Sequence, residues 1–309
     1  MITTVTLNPM LDKTVRLDSL KKGAIHRASS MSMVVGGKGI NVARQLKCLG
    51  VDVLATGFLG GEVGEVIKKL LEKEGIRHEF VDALVMTREG VTYLEQDGTA
   101  TAVFEPSEHV SVNAVNELTG KVSSLAGKST WVVCSGSSVG HESDDIFYES
   151  VLAAHKAGIK SVLDSYGNAL TLGLKAVPTM IKPNRQEFER TFGTVLNNEN
   201  EVRRGLDKWR GAGIKYVLLT DGGNPVYAAA DEGEWKVTVP SIQAVNPVGS
   251  GDSMVGGMLY GFTKGWDFER SLRFGVAAGT ANASVWVVAN SSYEEIMKFE
   301  SMIQVHKLA

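Results

Sequence analysis

Short apolar runs alternate along this chain with segments whose apolar residues recur every three or four positions. That alternation restricts the fold more than any other feature. Residues 51–56 form a β-rich apolar run. Val63, Val66, Ile67, Leu70 and Leu71 then recur at helical spacing until Gly75, where a glycine stops a helix. Residues 131–134 predict a second strand and about 144–156 a helix, and 160–163, 179–181 and 215–220 predict further short strands between helices. Strands without a polar side need cover on both faces. The reading is therefore α/β: a doubly wound, mostly parallel sheet with helices on both faces. From Gly251 onward the chain is expected to be almost entirely helical.

Two segments break the rhythm. Residues 29–35 are extended in character, and residues 91–104 predict a hairpin turning at Gln96-Asp97-Gly98-Thr99. Together they predict a small β-strand lid over one end of the sheet, with strands from about 12–35 and 87–105, within one domain spanning 1–309. A lid suits a reaction that must exclude water. A net charge of −3 offers no basic field for nucleic acid or a membrane surface. Cys48 and Cys134 lack the spacing of a disulfide framework or a cysteine zinc site. No apolar stretch is long enough to span a bilayer, and no basic run precedes an apolar segment at the N-terminus. A cytoplasmic location is expected.

The stretch Asn246-Pro247-Val248-Gly249-Ser250-Gly251-Asp252 precedes a helix predicted to run to about Lys264 and to carry no charge between Ser253 and Thr263. Such a helix is buried, and its start presents unpaired N–H groups and the positive end of the helix dipole. Glycines let a phosphate approach that backbone closely. Asp252 has two readings here. An acidic residue at a helix start is commonly a cap; it can also accept the proton of an attacking hydroxyl. The dipole should keep it ionised and a weak base, which phosphoryl transfer tolerates. The sixth position of the GxGxxG that begins at Gly249 is Met254, so no dinucleotide fingerprint is present. Gly36-Gly37-Lys38-Gly39 lacks the spacing of a Walker loop.

Gly36-Gly37-Lys38-Gly39-Ile40-Asn41-Val42-Ala43 precedes a second helix and brings backbone close to a partner. Residues 36–60 and 246–259 resemble the two signature stretches of the PfkB (ribokinase-like) carbohydrate kinases. Thr6-Leu7-Asn8-Pro9-Met10-Leu11-Asp12, Thr87-Arg88, Ser135-Gly136-Ser137 and Lys182-Pro183-Asn184-Arg185-Gln186-Glu187 resemble its phosphofructokinase branch.

The resemblance implies a ribokinase-like fold, ATP and Mg²⁺ as cofactors with K⁺ as a further candidate, and a homodimer formed through the lid. It implies Asp252 as catalytic base, with Gly249, Ser250 and Gly251 as the anion hole. Asp12, Gly36, Gly37 and Asn41 would meet the sugar. Lys38, Arg88 and Arg27, with Ser137, would hold the phosphate already on it. Lys182, Asn184, Thr220, Gly222 and Gly223 would meet ATP, and Glu187 would order Mg²⁺ through water. Locally, Asn184 and Glu187 also fit a simple capping box, and Asp164 reads as structural. The branch usually has Asn where Gly90 stands and Gly near Pro225.

The expected activity is transfer of the ATP γ-phosphate to a ketohexose monophosphate, fructose 1-phosphate first and tagatose 6-phosphate second. A kinase of an unphosphorylated sugar, a non-catalytic regulator that binds sugar phosphate or nucleotide, and a dehydrogenase are the rivals.

Overall fold

A computed structural model describes residues 1–308. Its main sheet has eleven strands. Ile2–Thr6 is an interior strand, paired in parallel with Val53–Leu59 on one side and with Trp131–Ser135 on the other. Lys160–Asp164, Met180–Ile181 and Tyr216–Leu219 continue outward in parallel. Val226–Ala230, Gly233–Thr238 and Gln304–Leu308 finish that edge antiparallel. The last strand departs from the expected all-helical end. Gln304–Leu308 carries a weak, mostly exposed alternation and becomes a strand because Gly233–Thr238 offers it an edge.

The two-residue period of a strand sends alternate side chains to opposite faces. Trp131 and Val133 join one core, Val132 and Cys134 the other. Tyr216 and Leu218 again separate from Val217 and Leu219. Helices Lys38–Cys48, Ser250–Thr263 and Phe268–Ala283 cover the first face, and Val112–Ala126, Ile146–Lys156 and Glu199–Gly211 the second. This is the doubly wound arrangement the alternation predicts.

From Ile2–Thr6 the chain winds first toward Val53–Leu59, then returns to build the opposite side from Trp131–Ser135. The direction of winding reverses between Ile2–Thr6 and Trp131–Ser135. Open α/β sheets bind ligands in the crevice outside the carboxyl ends of the strands at such a reversal.

A separate four-stranded sheet runs in the order Ser30–Gly36, Met10–Arg16, Glu89–Leu94, Ala100–Phe104. Its outer pairs are antiparallel, and its middle pair is parallel. The hairpin bends where Asp97 Oδ1 accepts from Thr99 N at 2.8 Å, beside Gly98 at φ 88°. Among the described residues, no helix is long and apolar enough to cross a membrane.

Candidate active site

The carboxyl ends of five parallel strands open onto one cavity of about 750 Å³. The second sheet closes one side of it through Met10, beside Arg88 just ahead of Glu89–Leu94. Helix Ser250–Thr263 points its N-terminus inward. Its N-cap is Gly249, at φ 79°, with no side-chain hydrogen bond. A Cβ there would stand 2.4 Å from Val288 Cγ1, so both conformation and space demand glycine. Asn282, 1% exposed, straps this loop from behind. Its Nδ2 donates to Val248 O at 2.8 Å and to Ser250 Oγ at 3.0 Å, while its Oδ1 accepts from Ala289 N at 2.6 Å. The helix itself sits close to Phe268–Ala283, where a Cβ at Gly257 would meet that of Ala278 at 2.9 Å.

Asp252 does not cap this helix. It lies in the first turn, buried, with Oδ2 accepting from Asn41 Nδ2 at 2.8 Å. Asn41 is held in that orientation, since its Oδ1 accepts from Arg44 Nη1 at 2.9 Å. Arg44 in turn gives its Nε to Glu74 at 2.6 Å. The expectation of a weak base is corrected here. Burial pushes the Asp252 carboxyl up to about 6, against Lys38, Asn41 and Lys182, which pull it down. Asp164 adds a like charge in the same direction as burial. The helix dipole is outweighed because the carboxylate has lost its water.

Lys38, Asp164, Lys182 and Glu187 form one ionic cluster beside it. Lys38 Nζ reaches Asp164 Oδ1 at 3.1 Å and Glu187 Oε1 at 2.5 Å. Lys182 Nζ pairs with Asp164 Oδ2 at 3.2 Å. Asp164 is fully buried; burial opposes its ionisation, but Lys182 and Lys38 win and hold its carboxyl below the usual range. Lys38 is held above its usual range: burial acts against the charge, and Asp164, Glu187 and Asp252 overcome it. A Cβ on Gly251 would lie 2.9 Å from Lys182 Nζ, so that ammonium stands against the glycine loop. Asn184 and Glu187 form the capping box of helix Arg185–Phe192, with Asn184 Oδ1 accepting from Glu187 N at 2.8 Å and Glu187 Oε2 accepting from Asn184 N at 2.9 Å.

The cavity brings together most of the candidates. Gly37, Lys38, Asn41, Arg88 and Ser137 line it, as do Lys182, Asn184, Thr220, Gly222 and Gly223, and Gly249 through Asp252. Asp12 stands beside the cavity wall, with Arg88 as its charged neighbour. Burial raises the Asp12 carboxyl and Arg88 partly offsets it. Asp12 Oδ1 and Arg88 Nε are both buried without a hydrogen-bond partner, as expected of groups that a ligand satisfies. Gly36 adjoins Met10, whose Cγ lies 3.2 Å from where its Cβ would be. Glu187 sits behind Lys38 rather than on the wall.

Arg27 is not brought to the cavity of its own chain. It is exposed on the connection that follows Arg16, and Arg16 pairs with Ser30 at the far end of the strands. The near end is Met10 paired with Gly36; the six-residue span between them is about 20 Å.

Several wall residues were missed by sequence reasoning. Asn8 donates to Ser107 Oγ at 2.8 Å and Ser137 Oγ at 3.2 Å. Its place beside Pro9 in a quoted motif was the available signal. Tyr166 and the apolar wall of Val239, Ile242, Val276 and Ala283 carried none, because they converge only in the fold. Asp164, read as structural, holds the two lysines.

The two departures have local accounts. Gly90 lies opposite both Asp12 and Phe104, and a Cβ there would come within 2.6 Å of Phe104 Cδ1. Pro225 follows a bend in which Asn224 N donates to Asp221 O at 2.9 Å, so the missing N–H of proline leaves that bend intact.

The family model described as pfkB family carbohydrate kinase matches residues 5–292. A tagatose-6-phosphate kinase of Staphylococcus epidermidis is 32% identical over 99% of this chain and 100% of its own. A 1-phosphofructokinase of Borreliella burgdorferi is 32% identical over 92% of each chain. The solved structure of phosphofructokinase-2 from Escherichia coli in complex with potassium superposes with a TM-score of 0.90. It is 27% identical and covers 97% of this chain and 98% of that one.

Proposed function

The chain belongs to the pfkB family of carbohydrate kinases, and on that premise we propose that it transfers the γ-phosphate of ATP to a hydroxyl of a ketohexose monophosphate. Fructose 1-phosphate, giving fructose 1,6-bisphosphate, is the substrate we assign first. The observation that carries this reading is Asp252, buried, held by Asn41 and raised to about 6, beside an uncapped helix start that faces the cavity.

Asp252 receives the proton of the attacking hydroxyl. Its raised pKa makes it a better acceptor than an exposed aspartate while leaving it ionised at neutral pH. The N–H groups that follow Gly249, together with Lys182, face the charge that builds on the transferred phosphoryl group. Arg88 and Asp12, each with an unsatisfied buried atom, take the sugar end. Arg88 grips the existing phosphate, and Asp12 orients hydroxyls with Gly37 and Asn41. Lys38 is already paired with two carboxylates. It serves better between the sugar and nucleotide ends than as a dedicated grip on the sugar's phosphate.

Asn184, Thr220, Gly222 and Gly223 border the nucleotide end, whose apolar wall of Val239, Ile242, Val276 and Ala283 suits a base. Next to Asn184, and set back from the wall, Glu187 offers carboxylate oxygen, the donor Mg²⁺ prefers. Both Glu187 oxygens are engaged, by Lys38 and by Asn184 N, which favours a hold through water. Bound Mg²⁺ neutralises charge between the nucleotide phosphates. A K⁺ near the glycine loop is part of the proposal, since the potassium complex named above has the same fold.

The second sheet acts as a lid within a single kinase domain. It also pairs two copies of the chain: Met31, Met33 and Val103 leave it with exposed apolar side chains, and a cytoplasmic enzyme needs them covered.

A coupled assay with ATP and Mg²⁺ tests the reading on fructose 1-phosphate, tagatose 6-phosphate, fructose 6-phosphate and free fructose. Highest kcat/KM on fructose 1-phosphate supports it. Turnover on none of the phosphorylated sugars would sink it. The similarity to a tagatose-6-phosphate kinase supports a second reading, which a preference for that sugar would establish.

A further inference from the structure

Outside the cavity the fold assembles three metal-binding side chains that phosphoryl transfer does not use. His109, His141 and Glu142 each offer a ligand atom, and these atoms all lie within 4.8 Å of one another. His109 Nδ1 is 3.0 Å from Glu142 Oε2, and His141 Nε2 is 3.3 Å from Glu142 Oε1. The two imidazole rings meet edge to face, with centroids 5.9 Å apart. Ligand atoms around one tetrahedral ion stand about 3.3–3.5 Å apart, given metal–nitrogen bonds of about 2.0–2.1 Å. The two contacts, made to the two different oxygens of Glu142, fall at or just below that spacing.

The backbone makes room for this arrangement. Gly140 has φ 147°, and a Cβ on it would sit 2.5 Å from His109 Nδ1 and 2.9 Å from Glu142 Oε2. Any side chain there would enter the space between the ligands. Buried Val110 anchors the segment carrying His109. Ser143 fastens the other side by accepting from Val139 N at 2.9 Å and donating to Gly140 O at 3.0 Å.

We propose that His109, His141 and Glu142 bind one divalent ion of the zinc class, with solvent completing its coordination. Two imidazoles and one carboxylate are a borderline donor set that suits Zn²⁺, Ni²⁺, Cu²⁺ or Co²⁺. Mg²⁺ demands oxygen ligands and is not retained there. The site therefore differs in selectivity from the nucleotide end of the cavity. It also lies across two segments that meet at the sugar end. His109 follows Ser107, and His141 and Glu142 follow Ser137, the two serines joined by Asn8. A bound ion ties those segments together at a second point.

The test titrates the chelator-treated full chain with ZnCl₂, without nucleotide, by calorimetry, with Co²⁺ absorption as a ligand-field readout. The site predicts one equivalent of Zn²⁺ in the wild type and imidazole-type Co²⁺ bands. His109→Ala and His141→Ala should each weaken binding by about tenfold or more, and Glu142→Gln should weaken it as well. Zn²⁺ should raise the unfolding temperature of the wild type but not of the His109→Ala/His141→Ala double variant. Side chains 66% and 80% exposed can be removed without disturbing the core, and circular dichroism verifies the fold. Equal Zn²⁺ affinity in the double variant and the wild type would overturn the proposal, by placing the ion on other groups such as the cavity carboxylates. So would the absence of saturable binding in the wild type.

Discussion

Two helices start at the same cavity with an acidic residue in the first turn, and they treat it in opposite ways. Arg185–Phe192 closes on itself: Asn184 and Glu187 exchange hydrogen bonds, so that each answers the other's backbone N–H. Ser250–Thr263 has no side-chain cap, and its acidic residue turns sideways to Asn41. A capped start is a finished piece of local structure. An uncapped start at the wall of a cavity leaves donors for something that arrives later. The same sequence cue, a carboxylate early in a helix, thus completes a cap in one place and leaves the cap open in the other.

Substitution on the open side should separate the two starts most sharply. Asp252→Asn removes the base while keeping an acceptor for Asn41. We expect kcat to fall by about 10²–10⁴-fold, with ATP binding and fold retained; unchanged kcat measured on purified protein would refute the base. Gly249→Ala forces a Cβ into Val288 and strains the left-handed turn. Its expected loss is about 10²-fold in kcat, accompanied by a lower unfolding temperature. Arg88→Met should reduce kcat/KM for a phosphorylated ketohexose by about 10–100-fold, and much less for the free sugar. Parallel kinetics on the two substrates decide this.

The smallest effects concern stability. Folding raises Asp252 from 3.8 to about 6, so the folded state holds a proton the unfolded chain has released. Its contribution is therefore intact below about pH 4 and is lost as pH rises to about 6. Asp252→Asn escapes that loss. It should be more stable than the wild type above pH 6, by on the order of 1–3 kcal/mol, with no difference below pH 4 in urea titrations. Wild-type kcat should fall as pH drops through 6. On the closed side, Asn184→Ala should cost about 1 kcal/mol of stability and raise the KM for ATP without abolishing turnover. A loss of turnover equal to that of Asp252→Asn would erase the contrast between the two starts.

Five parallel strands of the main sheet, from Val53–Leu59 to Tyr216–Leu219, were legible because they are short, largely apolar and bounded by helical spacing; Ile2–Thr6, with three threonines, and the antiparallel Val226–Ala230 and Gly233–Thr238 were not. The hairpin of the second sheet was legible from its turn residues. Gln304–Leu308 was not, since its pairing edge lies some seventy residues upstream in a strand whose own pattern is modest. The glycine stretches marked the two sides of the cavity. Their local pattern could not decide whether Asp252 caps, because that depends on Asn41 arriving from 211 positions away. Nor could it show burial overcoming the helix dipole at Asp252. The partners of Asp164 were hidden for a related reason: it holds Lys38 and Lys182, which spacing does not connect to it. Arg27 was a candidate drawn from the resemblance, and strand length carries it away from the cavity of its own chain.

The cavity takes one wall from a sheet that shares no strand pairing with the rest of the molecule. The groups proposed to take the sugar, Asp12 for its hydroxyls and Arg88 for its phosphate, belong to that sheet or its immediate approach, whereas Asp252 and the lysine cluster rest on the main sheet and its helices. Inheritance can therefore act on the two separately. Drift at Gly90 or Phe104 can retune which sugar is accepted while the apparatus that moves the phosphoryl group is passed on unaltered.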